Sequence, residues 1–66
     1  MNNEEIRSLT VEELRERIIA ERDVLQKLRF AHAISPIENP MKIRVSRKII
    51  ARLNTELKAR ELAEKN

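Results

Sequence analysis

The sequence predicts an all-α protein: a long antiparallel hairpin of two helices, at about residues 10–33 and 40–62, preceded by a short N-terminal helical turn at about residues 3–8. Three observations predict this fold class. The 66 residues include no glycine and are rich in the helix formers Leu, Ala, Glu, Lys and Arg. Apolar residues recur in two long segments at the three- and four-residue spacing of a helix. One stretch, which contains Pro36 and Pro40, interrupts that spacing.

The N-terminal turn and the first long helix both begin with capping signals. Asn2 or Asn3, followed by two glutamates, can start a short turn because an asparagine side chain accepts a hydrogen bond from a free backbone N–H group. Thr10 and Glu13 form a T-x-x-E capping box, in which the hydroxyl and the carboxylate each satisfy a backbone N–H group. Thr10 is therefore the predicted N-cap of the first long helix.

The first long helix has one apolar stripe with a polar interruption. The apolar members of this stripe are Val11, Leu14, Ile18, Leu25 and Leu28. Their spacing alternates between three and four residues once the polar position 21 is counted. Glu21 occupies a position where the spacing requires an apolar residue, and we expect it to extend its carboxylate to solvent or to reach a polar partner such as Asn54 or Arg47. His32 falls at the next stripe position. We expect it to be structural, because one His without Cys cannot assemble a zinc site.

The interruption at residues 34–39 is the predicted connection between the helices. Asn39 and Pro40 are typical of a helix start, with Asn as the N-cap and Pro at the first helical position. A connection this short makes the two helices antiparallel neighbours. The apolar residues that then face each other are Leu14 with Leu57, Ile18 with Leu53, and Leu28 with Ile43 or Val45.

The basic residues are concentrated in the second predicted helix. Residues 42–60 hold seven Lys or Arg and one Glu, a local charge of +6, whereas the whole chain has a charge of +3. On a helix these cations lie on a broad arc away from the apolar stripe, and they include Arg44, Arg47, Lys48, Arg52 and Lys58. Helix faces that only contact solvent usually mix both signs of charge. The lack of interleaved acids therefore favours a phosphate-binding surface over a merely solvated one.

The composition argues against several other classes of protein. The chain makes one domain, residues 1–66, whose core is too thin to enclose a catalytic pocket, so we expect no enzyme. With no Cys and a single His, we expect no metal site and no cofactor. No apolar run approaches the ~20 residues of a membrane span. The acidic N-terminus also lacks the apolar core of a signal peptide, so we expect a cytoplasmic protein without a membrane partner.

Two apolar residues, Ile19 and Phe30, interrupt the polar side of the first helix. They are eleven positions apart and therefore lie on the same side of that helix, away from the apolar stripe. Scattered exposed apolar side chains are common on protein surfaces, and an apolar spot can also dock a partner. The sequence leaves both interpretations open.

The second half of the chain contains a specific series of motifs. These are Leu28-Arg29-Phe30, Glu38-Asn39-Pro40, Ile43-Arg44, and Arg47-Lys48-Ile49-Ile50-Ala51-Arg52-Leu53 followed by Thr55. With Ile6-Arg7, Leu9-Thr10 and Glu13-Leu14 upstream, the chain closely resembles the bacterial type of the large ribosomal subunit protein L-twenty-nine family over nearly its whole length. The resemblance implies a helical hairpin that binds large-subunit ribosomal RNA near the nascent-chain exit. It also implies a neighbouring ribosomal protein there, with docking factors.

The resemblance also identifies candidate site residues. Those that match the family's basic motif, and that we predict to bind RNA, are Arg29, Arg44, Arg47, Lys48 and Arg52. The chain departs from the family's pattern at residues 34–37, where a Gly-containing turn is common, and at Ser46, where Arg is common.

The sequence thus supports one hypothesis and leaves one alternative open. The hypothesis is a structural constituent of the large ribosomal subunit that binds ribosomal RNA and is monomeric when free. The alternative is a coiled-coil protein–protein interaction module that pairs with another helix through the apolar stripe. A module of that kind would self-associate or require a helical partner, whereas the hairpin would respond to RNA.

Overall fold

A computed structural model describes residues 1–36 and 40–64. This part of the chain forms three helices and no strand: α1 at Asn3–Ser8, α2 at Val11–Ile34 and α3 at Met41–Glu64. The predicted fold class is confirmed, because the two long helices pack against each other and the short one precedes them. The molecule is elongated, with extents of 48 × 17 × 15 Å. None of the described helices is both long enough and apolar enough to cross a membrane.

The starts of α1 and α2 follow from the side chains that cap them. The Glu5 N–H group donates to Oδ1 of Asn2 over 2.8 Å, so Asn2 is the N-cap of α1. At α2 the predicted capping box is present. The Glu13 N–H group donates to Oγ1 of Thr10 over 3.1 Å, and the Thr10 N–H group donates to Oε1 of Glu13 over 2.9 Å. Hydrogen bonds from the Thr10 backbone and side chain lower the pKa of Glu13, because they favour the charged carboxylate.

The connection between the long helices is only partly described. Helix α2 runs one residue past its predicted end, and the Ser35 N–H group donates to the Ala31 carbonyl oxygen over 2.9 Å to close it. At the start of α3 the Arg44 N–H group donates to the Pro40 carbonyl oxygen over 3.3 Å. The predicted N-cap, Asn39, lies outside the described residues.

The buried core sits at one end of the hairpin, where all three helices meet. Its four members come from the three helices, and they are Ile6 of α1, Leu14 and Ile18 of α2, and Leu53 of α3. Met1, Leu9, Ile49 and Leu57 pack around them and are half-buried. The two facing pairs predicted for this end, Leu14 with Leu57 and Ile18 with Leu53, fall within this one cluster. The contribution of α1 through Ile6 was not predicted from the sequence.

The other end of the hairpin, towards the connection, is more thinly packed. Leu25, Leu28 and Ile43 are only half-buried there, and Val45 is 47% exposed. Ser46 is a buried side chain of α3, only 5% exposed, so it lies towards the packed interior rather than on the outward face.

Glu21 has a polar partner, as expected, but that partner lies on its own helix. Its carboxylate pairs with Nε of Arg17 on the same helix at 3.6 Å, rather than with Asn54 or Arg47 on α3. The four-residue spacing on α2 brings Arg17 and Glu21 together without help from the second helix. A half-buried carboxylate at the edge of the stripe thus gains a cation and stays partly in water.

Candidate nucleic-acid interface

The cationic surface lies on the side of α3 that faces solvent. Arg44, Arg47 and Lys48 line one shallow depression together with Ala51, and all four residues are exposed. Its volume is about 340 Å³. Among the described residues, none of the three cations forms an ion pair with an acid. Three positive charges are therefore presented to solvent without local compensation.

Helical spacing explains why these three side chains share one depression. Positions three and four apart on a helix are surface neighbours, and Arg44, Arg47, Lys48 and Ala51 follow one another at those spacings. Ser46 and Leu53 are buried, so the side of α3 on which they lie faces the interior of the molecule. The methyl group of Ala51 is too short to fill the space between the longer side chains, which leaves the surface concave.

Arg52 is next to this surface but belongs to a separate groove. That groove runs between α1 and α3, where Arg52 lies together with Arg7, and Ala51 is part of the lining of both concavities. Nη1 of Arg52 donates to the Met1 carbonyl oxygen over 3.5 Å, at the long limit for a hydrogen bond. Most of the donors of this guanidinium therefore remain available to a ligand.

The remaining predicted site residues lie on α2. Arg29 is exposed, and it is not among the residues that line either concavity. Ile19 and Phe30 are each 68% exposed, so the structure places both in solvent on α2 rather than in the core. Neither the RNA-binding role of Arg29 nor a docking role of the two apolar residues is tested by these positions.

Two other cations of residues 42–60 have surroundings of a different kind. Lys58 lies beside Glu61 in a mixed-sign depression, and Glu61 also pairs with Arg15 of α2 at 3.6 Å. Arg60 is half-buried, and its Nε donates to Oε2 of Glu56 over 3.0 Å. An acid thus pairs with Arg60 and another lies near Lys58, whereas the depression of Arg44, Arg47 and Lys48 has no acid in its lining.

Arg60 also fastens α1 to the rest of the molecule. Its Nη2 donates to the Arg7 carbonyl oxygen over 2.6 Å, and its Nη1 donates to the Leu9 carbonyl oxygen. The last carbonyl groups of a helix lack partners within that helix and carry partial negative charge. A guanidinium with five donors suits that position. The four-residue spacing of Glu56 and Arg60 is the one signal of this role in the sequence, and no signal there indicates the contact with α1.

No group of three or more His, Asp or Glu in residues 1–36 and 40–64 is arranged to hold a metal ion. The chemistry available on this surface is therefore that of guanidinium and ammonium donors. These groups bind oxyanions by charge and by hydrogen bonds, and Arg can do so with two parallel bonds.

Fold and surface together define a class: a small helical-hairpin protein with a concentrated basic face on its second long helix. The family model described as "Ribosomal L29 protein" matches residues 4–60. The chain belongs to this family.

Several curated relatives, each called "Large ribosomal subunit protein uL29", match over most of their length. The Cytophaga hutchinsonii protein is 62% identical over 60 residues, which cover 91% of this chain and 97% of the relative. The Amoebophilus asiaticus protein is 58% identical over 57 residues, or 86% and 92% of the two chains. The Flavobacterium johnsoniae protein is 48% identical over 62 residues, or 94% and 98%. No solved structure matches the chain.

Proposed function

We propose that this protein is a structural constituent of the large ribosomal subunit that binds ribosomal RNA through the outward face of α3. Membership of the family makes it a ribosomal protein of the large subunit. It therefore functions in translation as part of a ribonucleoprotein particle in the cytoplasm. The finer proposal concerns the surface, and its residues are Arg44, Arg47, Lys48 and Arg52, with Arg29 as an additional contact from α2.

One observation carries the RNA-binding proposal. Arg44, Arg47 and Lys48 surround Ala51 in one depression, and no described acid pairs with any of them. Unpaired like charges held side by side repel one another, and a polyanion removes that repulsion while it releases its own counterions. A phosphate oxygen is the ligand that fits three convergent cationic donors on a shallow surface.

The shape of the surface favours recognition of the RNA backbone over reading of its sequence. A helix such as α3 does not fit the deep, narrow major groove of A-form RNA. The chain also has one aromatic residue, Phe30, on α2 and not among the residues that line the depression, so stacking of successive bases on aromatic rings has no platform there. We therefore expect contacts with phosphates that a folded RNA brings together at a junction.

Family resemblance supports a position near the nascent-chain exit, beside another ribosomal protein and its docking factors. Ile19 and Phe30 are the residues we propose for such a protein contact, because both are large, apolar and 68% exposed. They lie on α2, whereas the depression lies on α3. RNA and protein could then bind different helices of one hairpin.

The alternative is a coiled-coil module, and the apolar stripe that such a module would use to pair with another helix is already buried in this structure. Its seam would be the apolar stripe, and Leu14 and Leu53 of the two facing stripes are 0% exposed. Pairing with a foreign helix through the stripe would require α2 and α3 to separate first. A sedimentation measurement of the free protein tests this, since a monomer is expected and a stable dimer would favour the module.

The RNA-binding proposal is tested with two variants of equal charge. The site variant carries Arg44→Gln, Arg47→Gln and Lys48→Gln. The control carries Arg17→Gln, Arg22→Gln and Lys27→Gln, which removes three exposed cations from α2. Binding to naked large-subunit ribosomal RNA is measured by filter retention over a series of salt concentrations, with helicity checked by circular dichroism.

The site variant should bind ~100-fold more weakly, at about 1 kcal/mol for each lost contact. The slope of log affinity against log salt should also decrease by ~2–3, because three phosphates are no longer neutralised. The control should keep most of the affinity. Equal losses in the two variants would show that only net charge matters, and the proposed surface would then be rejected.

A further inference from the structure

The groove between α1 and α3 is a second concave surface that the family's basic motif does not account for. It is lined by residues of both helices, including Asn3, Ile6 and Arg7 of α1 and Ala51 and Arg52 of α3. Its volume is about 330 Å³. Because Ala51 also lines the depression of Arg44, Arg47 and Lys48, the groove and the depression adjoin.

The groove has a cationic rim. Arg7 and Arg52 are exposed, and within the described residues neither of them pairs with a carboxylate. The one acid in the lining, Glu56, is held by Arg60 at 3.0 Å, so its charge is compensated from outside the groove. The net field at the opening is therefore that of two guanidinium groups.

The lining of the groove combines apolar surface with guanidinium groups, whereas three of the four residues that line the neighbouring depression are cations. Ala51, which is exposed, supplies apolar surface to the lining, and Ile6, which is 3% exposed, contributes only a small part of it. A phosphate alone gains nothing from apolar surface, whereas the face of a nucleobase does. Guanidinium planes stack on bases, and their edges bind phosphate.

We infer that the α1–α3 groove binds one unpaired nucleotide of ribosomal RNA, with its base against Ala51 and its phosphate at Arg7 and Arg52. The inference rests on the proposed function and extends its RNA contact to α1. A volume of about 330 Å³ suits one small ligand, and a paired RNA helix is far too wide to enter. A single nucleotide that is extruded from a junction held by α3 is small enough for the groove, and it offers both a base and a phosphate.

Arg60 is the positioning residue of this groove. It touches the carbonyl oxygens of Arg7 and Leu9, and it touches Glu56, but it is not among the residues that line the groove. Helix α1 has only six residues and one buried side chain, Ile6, so few other contacts fix its orientation. Without Arg60, α1 and the Arg7 guanidinium would lose their fixed place beside Arg52.

The first test compares Arg7→Gln with Arg22→Gln, which removes one exposed arginine from α2. The probe is naked large-subunit ribosomal RNA. Arg7→Gln should weaken binding about five- to tenfold, and Arg22→Gln should change it less than about twofold. If the native protein binds the RNA but the two variants are equal, this inference fails while the proposed function stands. If the native protein does not bind the RNA, the proposed function fails.

A double-mutant cycle tests the positioning role. If Arg60 acts through Arg7, the Arg7→Gln change should have little further effect in an Arg60→Gln background. Additive losses would show that Arg60 does not act through the groove. Circular dichroism of Arg60→Gln should show α2 and α3 intact, since the contacts it loses lie at α1. Large loss of helicity would instead assign Arg60 to the stability of the whole fold and overturn the positioning role.

The second test locates the nucleotide. The chain has no cysteine, so Asn3→Cys gives a single attachment point at the groove for an iron chelate that cleaves nearby RNA. Gln26→Cys on α2 is the matched control. Cleavage from position 3 should centre on an unpaired nucleotide whose base is protected from dimethyl sulfate by the native protein and not by Arg7→Gln. Cleavage confined to a continuous duplex, or a base that stays reactive, would overturn the inference.

Discussion

Leu53→Ala should strongly destabilise this fold, because Leu53 is the buried α3 member of the core. It is 0% exposed and packs with Ile6 of α1 and with Leu14 and Ile18 of α2. Truncation would leave a cavity bordered by all three helices. Leucine-to-alanine changes at fully buried sites destabilise proteins by about 2–5 kcal/mol.

The size of the chain makes this loss decisive. At 0.05–0.15 kcal/mol per residue, a chain of 66 residues has a free energy of unfolding of about 3–10 kcal/mol. Leu53→Ala should therefore remove a large part of the stability, and the variant is expected to be partly unfolded in buffer. Few neighbours exist to close the cavity, since the buried core has only four apolar members among the described residues. We therefore expect the loss of stability on Leu53→Ala to fall in the upper half of the range of about 2–5 kcal/mol.

The assay is urea unfolding followed by far-ultraviolet circular dichroism. Leu62→Ala is the matched control, because Leu62 is on the same helix and 60% exposed. The control should change the free energy of unfolding by less than about 0.5 kcal/mol. Equal midpoints for the two variants would refute the assignment of the core to this end of the hairpin.

Three further predictions concern the cap, the effect of pH and the effect of RNA. Thr10→Ala should lower stability by about 0.5–2 kcal/mol through loss of the capping box, whereas Thr55→Ala, which loses only a hydroxyl bond to the Ala51 carbonyl oxygen, should change thermal melts little. Because the pKa of Glu13 is lowered in the folded state, its contribution is present above the ordinary pKa of a glutamate and is lost as the pH falls through the lowered value. The difference in melting temperature between the native protein and Glu13→Gln should therefore shrink in acid, and a constant difference would contradict this. Ribosomal RNA at 100 times the dissociation constant should stabilise the native protein by about 2.7 kcal/mol, and an unchanged melting midpoint would show that binding and folding are not linked.

The sequence predicted most of the fold because its local signals agree with one another. The capping box at Thr10 and Glu13, the two prolines and the apolar stripes all indicate the same two helices, and the structure has them within a few residues of the predicted bounds. Contacts made across a long separation in the chain were harder to predict. The packing of Ile6 in the core and the bonds from Arg60 to α1 join residues about fifty apart, and no local pattern reports such contacts. Glu21 pairs with an arginine on its own helix, rather than with either of the residues of α3 named as examples from the sequence.

The candidate surface was predictable to the extent that helical spacing determines it. Spacing places Arg44, Arg47 and Lys48 together whenever α3 is a helix. It cannot tell which cations of α3 remain uncompensated, because that depends on acids supplied by the fold. Lys58 lies beside Glu61, which pairs with Arg15 of α2, and Arg60 is held by Glu56.

The two halves of helix α3 differ in how their side chains are packed and paired. Its second half supplies Leu53 and Leu57 to the core and Arg60 to the end of α1, so these three side chains are occupied within the molecule. Its first half, around Ser46, has no fully buried apolar residue among those described, and Arg44, Arg47 and Lys48 there form no ion pair with a described acid. Self-repulsion and thin packing both make that half less stable in the free protein. A phosphate ligand at this half removes the repulsion where the protein has least packing of its own, so bound RNA would stabilise the part of the hairpin that the core does not reach.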